Sequence, residues 1–340
     1  MLTRRIGVDL GTRTTRVLVR GEGVVAEEPS LVAATDGDPR RAPAGRDALE
    51  WAVRHPAATA GPEPLISPLA GGRVVDEVAL EALVRHATGQ GGGSPRFFRP
   101  DVVLTIASAS SGRDRRLLLA AAARSGSRTC HLVDAPLAAA LGADLPTDTT
   151  SGALVVHSGA AATEIAVVCQ EGTVAQATQP LGGQELDRLL QERVAELTGI
   201  QVGRAGAERL KCELREGPQL GSGHRLTVTA GDPASDQPAA IATCAEADLW
   251  PALLPRMAQL ADALVQLLEQ LPSRLAAAHR RHGAVLTGGT AQLVGLDRWL
   301  AAHCGLPVAV AEDPERCCVL GTGRALDRLD ASGRQLLYMR

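Results

Sequence analysis

The chain has 340 residues, 45% of them hydrophobic and 21% charged, and a formal net charge of −3. That length allows two domains of ordinary size, each with its own core, and the intermixed charges exclude wholesale nucleic-acid binding as an expectation. Seven scattered cysteines, Cys130, Cys169, Cys212, Cys244, Cys304, Cys317 and Cys318, lack paired C-x-x-C spacing, which argues against a disulfide framework or zinc site and fits a reducing cytosol.

From the N-terminus the chain enters a strand pattern at once, with no apolar stretch of signal-peptide length. No later run reaches the roughly 18 apolar residues of a membrane-spanning helix. A cytoplasmic protein is expected, touching a membrane only peripherally. "RIGVDLG" and "TRVLVRG" are β-rich runs joined by a small polar turn, and "GVVAEEPSLVAA" supplies a third strand, giving an antiparallel meander. Residues 36–64 are rich in Pro, Gly, Arg and Asp and read as a small insert; "DEVALEALVRHA" then repeats apolar residues at helical spacing. "DVVLTIAS" reads as a buried strand, "GRDRRLLLAAAARSG" as a helix, "CHLVDAP" as a strand and "LAAALGA" as a helix.

The opening pattern then returns. "GALVVHSGAAATEIAVVCQEGTVAQATQPLGG" again reads strand, small-residue turn, strand, turn, strand, followed by the amphipathic helix "QELDRLLQERVAELTG". A second irregular insert covers residues 217–244, "DLWPALLPRMAQLADALVQLLEQL" is a long helix, and "GAVLTGG" is a strand leading to the helix "LVGLDRWLAAHCG"; "VLGTGRAL" begins a last helix. A duplication with a hairpin loop in each half implies two like domains facing one cleft.

Each hairpin turn is suited to present backbone N–H groups to a phosphate. In the first, Asp9 ends a strand and Gly11, Thr12, Arg13, Thr14 and Thr15 form the turn. Glycine permits close approach, hydroxyls can donate to phosphate oxygens, and Asp9 can hold the waters of a hydrated Mg²⁺. A plain hairpin turn explains the same residues. In the second, "VVHSGAAATE", the strand ends on His157 and the turn is filled by Ala160, Ala161 and Ala162. Gly288 and Gly289 of "LTGG" would let a flat base lie on bare backbone, or simply serve a helix start that needs small residues.

In order and interval, "IGVDLGTRTTRVLV", "LVDAPLAAALGADLP", "GALVVHSGAAATEIAVV", "PLGGQELD", "AERLKCEL", "GAVLTGGTAQLVGLDRWL" and "GLPVAVAEDPERCCVLGTGRAL" resemble the bacterial actin-like MreB/Mbl rod-shape-determining proteins over nearly the whole chain. The resemblance implies the actin/heat-shock-chaperone/sugar-kinase ATPase fold, α/β, with two duplicated RNase H-like domains and ATP with Mg²⁺ between them. It implies domain I over 1–150, with a smaller inserted subdomain near 34–85 and completion by helix 320–340, and domain II over 151–319, with an insert near 200–250. It places Asp9 to Thr15 on the first phosphate loop and 157–163 on the second. Gly159, Ala161, Ala162 and Thr163 therefore fall at the phosphates, and Glu208, Lys211 and Gly288, Gly289, Thr290 and Ala291 at the nucleoside. Implied partners are other copies of the chain, an anionic membrane surface and cell-wall or cell-shape proteins.

Departures from the family pattern cluster at the chemistry. The second loop of the family reads Asp-Ile-Gly-Gly-Gly-Thr-Thr-Glu, of which Gly159, Thr163 and Glu164 remain. Its Glu-Glu-Pro strand end reads Asp134, Ala135, Pro136 here, so the water-orienting acid beside the proline is missing. Strand alternation turns Asp134 away from the cleft, and a neutral His157 is a poor partner for hydrated Mg²⁺. ATPase activity is therefore expected to be weak or absent, with ATP or ADP binding left open between weak, metal-independent uptake and none. Alanines in the second turn would be strained if that turn needs positive φ. Arg13 could act as a cation beside the phosphates or fill a vacant site. An active ATP-driven filament protein, and a chaperone-type or sugar-kinase-type ATPase, are the alternatives.

Phe97 and Phe98, the only phenylalanines, are bracketed by Arg96 and Arg99 in "GGGSPRFFRP". Apolar side chains between arginines suit insertion into an anionic interface, and the resembled family carries an apolar membrane loop in this region. One Phe in the core and one exposed by chance is the plainer alternative.

Overall fold

The structure is a computed structural model describing residues 4–35, 38–55, 64–91, 99–169, 172–218, 223–229 and 241–332. In chain order its elements begin with β1 (Arg5–Leu10), β2 (Thr14–Val19), β3 (Gly23–Pro29), β4 (Val32–Ala33), α1 (Arg46–Arg54), β5 (Leu65–Ile66), β6 (Leu69–Ala70) and β7 (Arg73–Val74). The first half continues through α2 (Glu77–Gln90), β8 (Asp101–Ile106), α3 (Gly112–Arg124), β9 (Thr129–Asp134) and α4 (Ala135–Gly142). The second half runs β10 (Ala153–Ser158), β11 (Thr163–Cys169), β12 (Gly172–Gln179), α5 (Gly183–Thr198), α6 (Arg204–Glu213), β13 (Arg225–Thr229), β14 (Ile241–Ala245) and α7 (Trp250–Gln270). It closes with α8 (Ser273–His282), β15 (Ala284–Thr287), α9 (Leu296–Cys304), β16 (Val308–Val310) and α10 (Cys317–Ser332).

Two five-stranded sheets have the same plan. The first is ordered β3-β2-β1-β8-β9 and the second β12-β11-β10-β15-β16; in each, the three-strand meander is antiparallel and the two crossover strands pair in parallel. The central strands β8 and β10 are apolar because they are covered on both faces: β8 is buried throughout and β10 nearly so. One core lies between the first sheet and α2 and α3, another between the second sheet and α5, α7 and α9. A third joins the halves, with Val103 and Val133 of the first sheet and Val155 and Val168 of the second packed around α4 and α10.

α4 and α10 cross where glycines leave room. A Cβ on Gly142 would lie 1.7 Å from the Cys317 carbonyl oxygen, and one on Gly321 would lie 1.8 Å from that of Ala138. α10 thus lies against the helix that begins at Ala135, and it carries Cys318 to the back of the cleft.

Three elements differ from the sequence reading. α1 forms inside the Pro- and Gly-rich insert, with Trp51 stacked on His55 at a centroid distance of 4.8 Å. α8 follows Pro272 as a separate helix; its polar composition hid it. Ala135 and Pro136 open α4 and are not part of the preceding strand, as suits a proline in the first turn of a helix.

Candidate functional site

The two hairpin turns are built alike. Gly11 N–H donates to the Thr14 carbonyl at 3.2 Å in the first, and Gly159 N–H donates to the Ala162 carbonyl at 2.9 Å in the second. Strand register places Asp9 opposite Arg16 and His157 opposite Glu164, so equivalent positions carry an acid facing a base in one half and a base facing an acid in the other. Asp9, Gly11, Thr12, Ala135, His157 and the turn 159–162 line one cavity of about 100 Å³. The structure thus brings these residues, far apart in sequence, to one cavity.

Among the described residues Asp144 is the one non-glycine with positive φ. The alanines of the second turn therefore adopt ordinary backbone angles, and the conditional strain does not arise. The N–H groups of Ala160, Ala161 and Ala162 have no acceptor among the described residues, as a phosphate-binding turn requires. Behind this turn, Gly183 and Gln184 at the start of α5 donate to the carbonyls of Gly159 and Ala160 at 3.0 and 2.8 Å.

Charge in the cavity is tightly committed. Asp9 is buried, accepts from Thr105 Oγ1 at 2.8 Å, and has its pKa raised by burial, against the Thr105 bond and the Arg16 guanidinium. His157 sits 3.1 Å from Thr287 Oγ1 and 3.6 Å from Cys318 Sγ; burial, then Arg16, lower its pKa to about 4, so it is neutral at pH 7. Asp134 receives Arg115 at 3.0 Å and is not part of the cavity wall, whereas Ala135 is. Asp134 thus does not share the wall position that Ala135 occupies. These groups fit hydrated Mg²⁺ less well than two carboxylates would: burial disfavours the ionised form of Asp9, and His157 offers nitrogen.

Glu164 was left without a role by sequence reasoning. Its carboxylate lines the cavity and accepts from Ser108 N–H, after β8, at 2.5 Å, tying the two halves together. Burial pushes its pKa from 4.5 up to about 7. Between those values the folded state holds a proton that the unfolded chain releases, so this group's contribution to stability falls as pH rises through the window, by up to about 3 kcal/mol. His157 acts oppositely: as pH falls from 6.5 towards 4 the unfolded chain gains a proton that the folded state refuses. The two terms offset one another in wild type. Glu164→Gln removes the first, so its stability relative to wild type should climb from near zero below pH 4.5 to about 3 kcal/mol at pH 8. Urea unfolding at pH 4, 6 and 8 reads this directly; a pH-independent difference would contradict it.

The residues that the resemblance places at a nucleoside are engaged with protein. Arg13 on the first loop pairs across the cleft with Glu208 on α6. Lys211 Nζ donates to Asp187 Oδ1 at 2.6 Å and to the Gly183 carbonyl at 3.0 Å. Thr290 Oγ1 donates to the Gly159 carbonyl at 2.9 Å, and Ala291 is buried. Gly288 is needed for close packing, since its φ is 85° and a Cβ would lie 2.3 Å from the Ser158 carbonyl; the ideal Cβ of Gly289 would stand 3.6 Å from Glu315 Oε1. Thr15 spends its hydroxyl on Ser30 Oγ at 2.8 Å, and Thr163 donates to the Leu181 carbonyl at 2.5 Å. Arg16, unnoticed in the sequence, reaches Glu315 at 2.9 Å and Glu27 at 3.4 Å, a further tie across the cleft. Arg96, Phe97 and Phe98 lie outside the described residues, and Arg99 is exposed.

Two sheets of equal plan, each offering a hairpin turn to a shared cleft and joined by a helix pair at the back, define the actin-like class. The solved structures of MreB5 of Spiroplasma citri bound to AMPPNP (22% identity, 98% of this chain and 100% of that one, TM-score 0.84) and of the MamK double helical filament (20%, 95% and 99%, TM-score 0.76) share this fold. By sequence, the chain is 33% identical to the cell shape-determining protein MreB of Escherichia coli strain K12, across 99% of this chain and 97% of that protein. It is 29% identical to Mbl of Bacillus subtilis strain 168, across 97% and 98%. Residues 3–334 match the MreB/Mbl protein family, and the chain belongs to it. That membership sets aside the chaperone and sugar-kinase alternatives.

Proposed function

We propose that this chain is a cell-shape scaffold of the MreB/Mbl type that assembles with its own copies at the inner face of the membrane, serves cell-wall growth or shape, and hydrolyses ATP weakly or not at all. One observation carries the last part: Ala135 occupies the cavity wall while the adjacent carboxylate, Asp134, is held by Arg115. No group at that position can orient water. Polymer surfaces in an actin-like fold lie outside the cleft, so loss of hydrolysis leaves assembly intact and removes its control by nucleotide. Membrane contact is assigned to the segment holding Arg96, Phe97, Phe98 and Arg99. No helix among the described residues is long and apolar enough to cross a membrane.

Nucleotide entry requires the cleft to open. A cavity of about 100 Å³ is well below the ~300 Å³ or more of a small-molecule site, and the Arg13–Glu208 pair spans the gap. Both side chains are partly exposed, so their pairing contributes no more than about 1 kcal/mol. Titration with a fluorescent ATP analogue should show weak uptake that Mg²⁺ does not improve, and Arg13→Ala should tighten it about two- to fivefold. Weaker uptake by Arg13→Ala would make Arg13 a phosphate ligand; uptake strengthened by Mg²⁺ would restore the metal to the site.

A second reading, an ATP-driven filament protein with unusual ligands, draws on Glu164, a cavity carboxylate whose pKa of about 7 suits a general base. Its test is Glu164→Gln, which would abolish turnover under that reading.

A further inference from the structure

Away from the cleft, an open groove of about 1030 Å³ lies between the 3-10 turn Pro39–Arg41, α1 and α2, with Arg124, the last residue of α3, at its edge. One buried carboxylate organises it. Glu81 on α2, with its side chain 4% exposed, accepts from Arg124 Nε at 2.5 Å and from Arg85 Nη2 at 2.8 Å, and Arg40 Nε stands 3.5 Å away. Three guanidiniums around one carboxylate leave a local surplus of two positive charges.

Arg41 and Arg54 have acids of their own, and one imidazole, His86, serves both Glu28 and Asp47. Arg41 lies 3.8 Å from Asp38, Arg54 3.7 Å from Glu50, and His86 Nε2 2.6 Å from Glu28; Asp47 faces His86 Nδ1 at 3.9 Å. Arg85 also donates to the Arg40 backbone carbonyl at 2.7 Å, which braces the Arg85 side chain against the 3-10 turn. The three guanidinium side chains are nonetheless 37% to 59% exposed, and each has five N–H donors, of which the contacts named use one or two. Since all but one of the basic residues in this chain are arginine, residue type by itself carries no weight. The shared buried carboxylate does, because it fixes three positively charged forks in advance of any ligand.

We propose that this groove is a binding site for a phosphate-bearing ligand, held by Arg40, Arg85 and Arg124 on their common Glu81 anchor. A guanidinium fork matches phosphate oxygens bidentately, and a doubly charged phosphate balances a surplus of two where a carboxylate would leave one charge uncompensated. Ala42, Pro43 and Ala82 supply apolar lining for the rest of the ligand. The site is independent of the nucleotide cleft.

Two probes separate soluble from lipid-borne phosphate: calorimetric titration of the full chain with inorganic pyrophosphate, and cosedimentation with vesicles containing phosphatidic acid. Wild type should bind at least one of them saturably, and the double variant Arg85→Gln, Arg124→Gln should bind it at least tenfold more weakly. Arg13→Ala should leave that binding unchanged, which places it outside the cleft. Since the double variant leaves Glu81 with Arg40 alone, Arg40→Gln provides the second reading: its side chain is the most exposed of the three, so thermal unfolding should be unchanged and affinity several-fold lower. Absence of binding to both probes, binding indifferent to Arg40→Gln, or retention of polyglutamate with neither phosphate probe bound would each overturn the assignment.

Discussion

Phosphate release from ATP should rise at least about 10²-fold over wild type when Ala135→Glu and His157→Asp are introduced together. Under the proposed function, each change supplies a group that the family pattern carries: a carboxylate at the wall position of Ala135, beside those of Asp9 and Glu164, and an oxygen ligand for hydrated Mg²⁺ in place of a neutral imidazole. Losing a water-orienting group or general base typically costs about 10² to 10⁴ in rate, so restoring only one should recover little. A coupled phosphate assay with Mg²⁺ checks the result, with the single variants beside the double one. A folded double variant that takes up nucleotide yet turns over no faster than wild type would show that the deficit lies elsewhere in the cleft.

The second large effect concerns the helix pair behind the site. Gly142→Ala should destabilise the chain by about 3 kcal/mol or more, because its Cβ would lie 1.7 Å from the Cys317 carbonyl and meets backbone that cannot rotate aside. Helix propensity works the other way, by about 1 kcal/mol for Ala over Gly, and steric overlap wins. Gly89→Ala is the matched control: Gly89 lies in α2 with nothing within 4 Å of its ideal Cβ, so this change should be neutral or slightly stabilising. Urea unfolding of both variants reads the difference, and equal stability would mean that α4 and α10 do not cross at glycine.

What could be read in the sequence was what repeats locally. Apolar alternation around small-residue turns gave both hairpins, and their return in the second half gave two like sheets with a cleft between them. Ala135 and His157 stood out because the resemblance named the groups expected there. The pairings that decide the state of the cleft are different in kind. Arg13 and Glu208 lie 195 positions apart and Arg16 and Glu315 lie 299 apart, and nothing in either local stretch says that they meet. Thr105 within β8, beneath Asp9, and Ser108 just after it, against Glu164, are ordinary residues given meaning by the strand order β1-β8 and the packing of one half on the other. Glu81 looked like one more polar position in an amphipathic helix, and its three arginines come from three separate segments. α1 was obscured by the prolines and glycines around it, α8 by its arginines and histidines.

Cleft chemistry and assembly are expected to separate in this protein, with lipid-supported assembly that barely responds to nucleotide. Both halves of that expectation rest on hydrolysis being absent in the wild-type chain. The most direct measurement is inorganic phosphate release by purified wild-type protein, assembled on anionic vesicles and supplied with ATP and Mg²⁺. The rate should be indistinguishable from a protein-free control, whereas turnover above that control, abolished by Asp9→Ala or by Glu164→Gln, would contradict it.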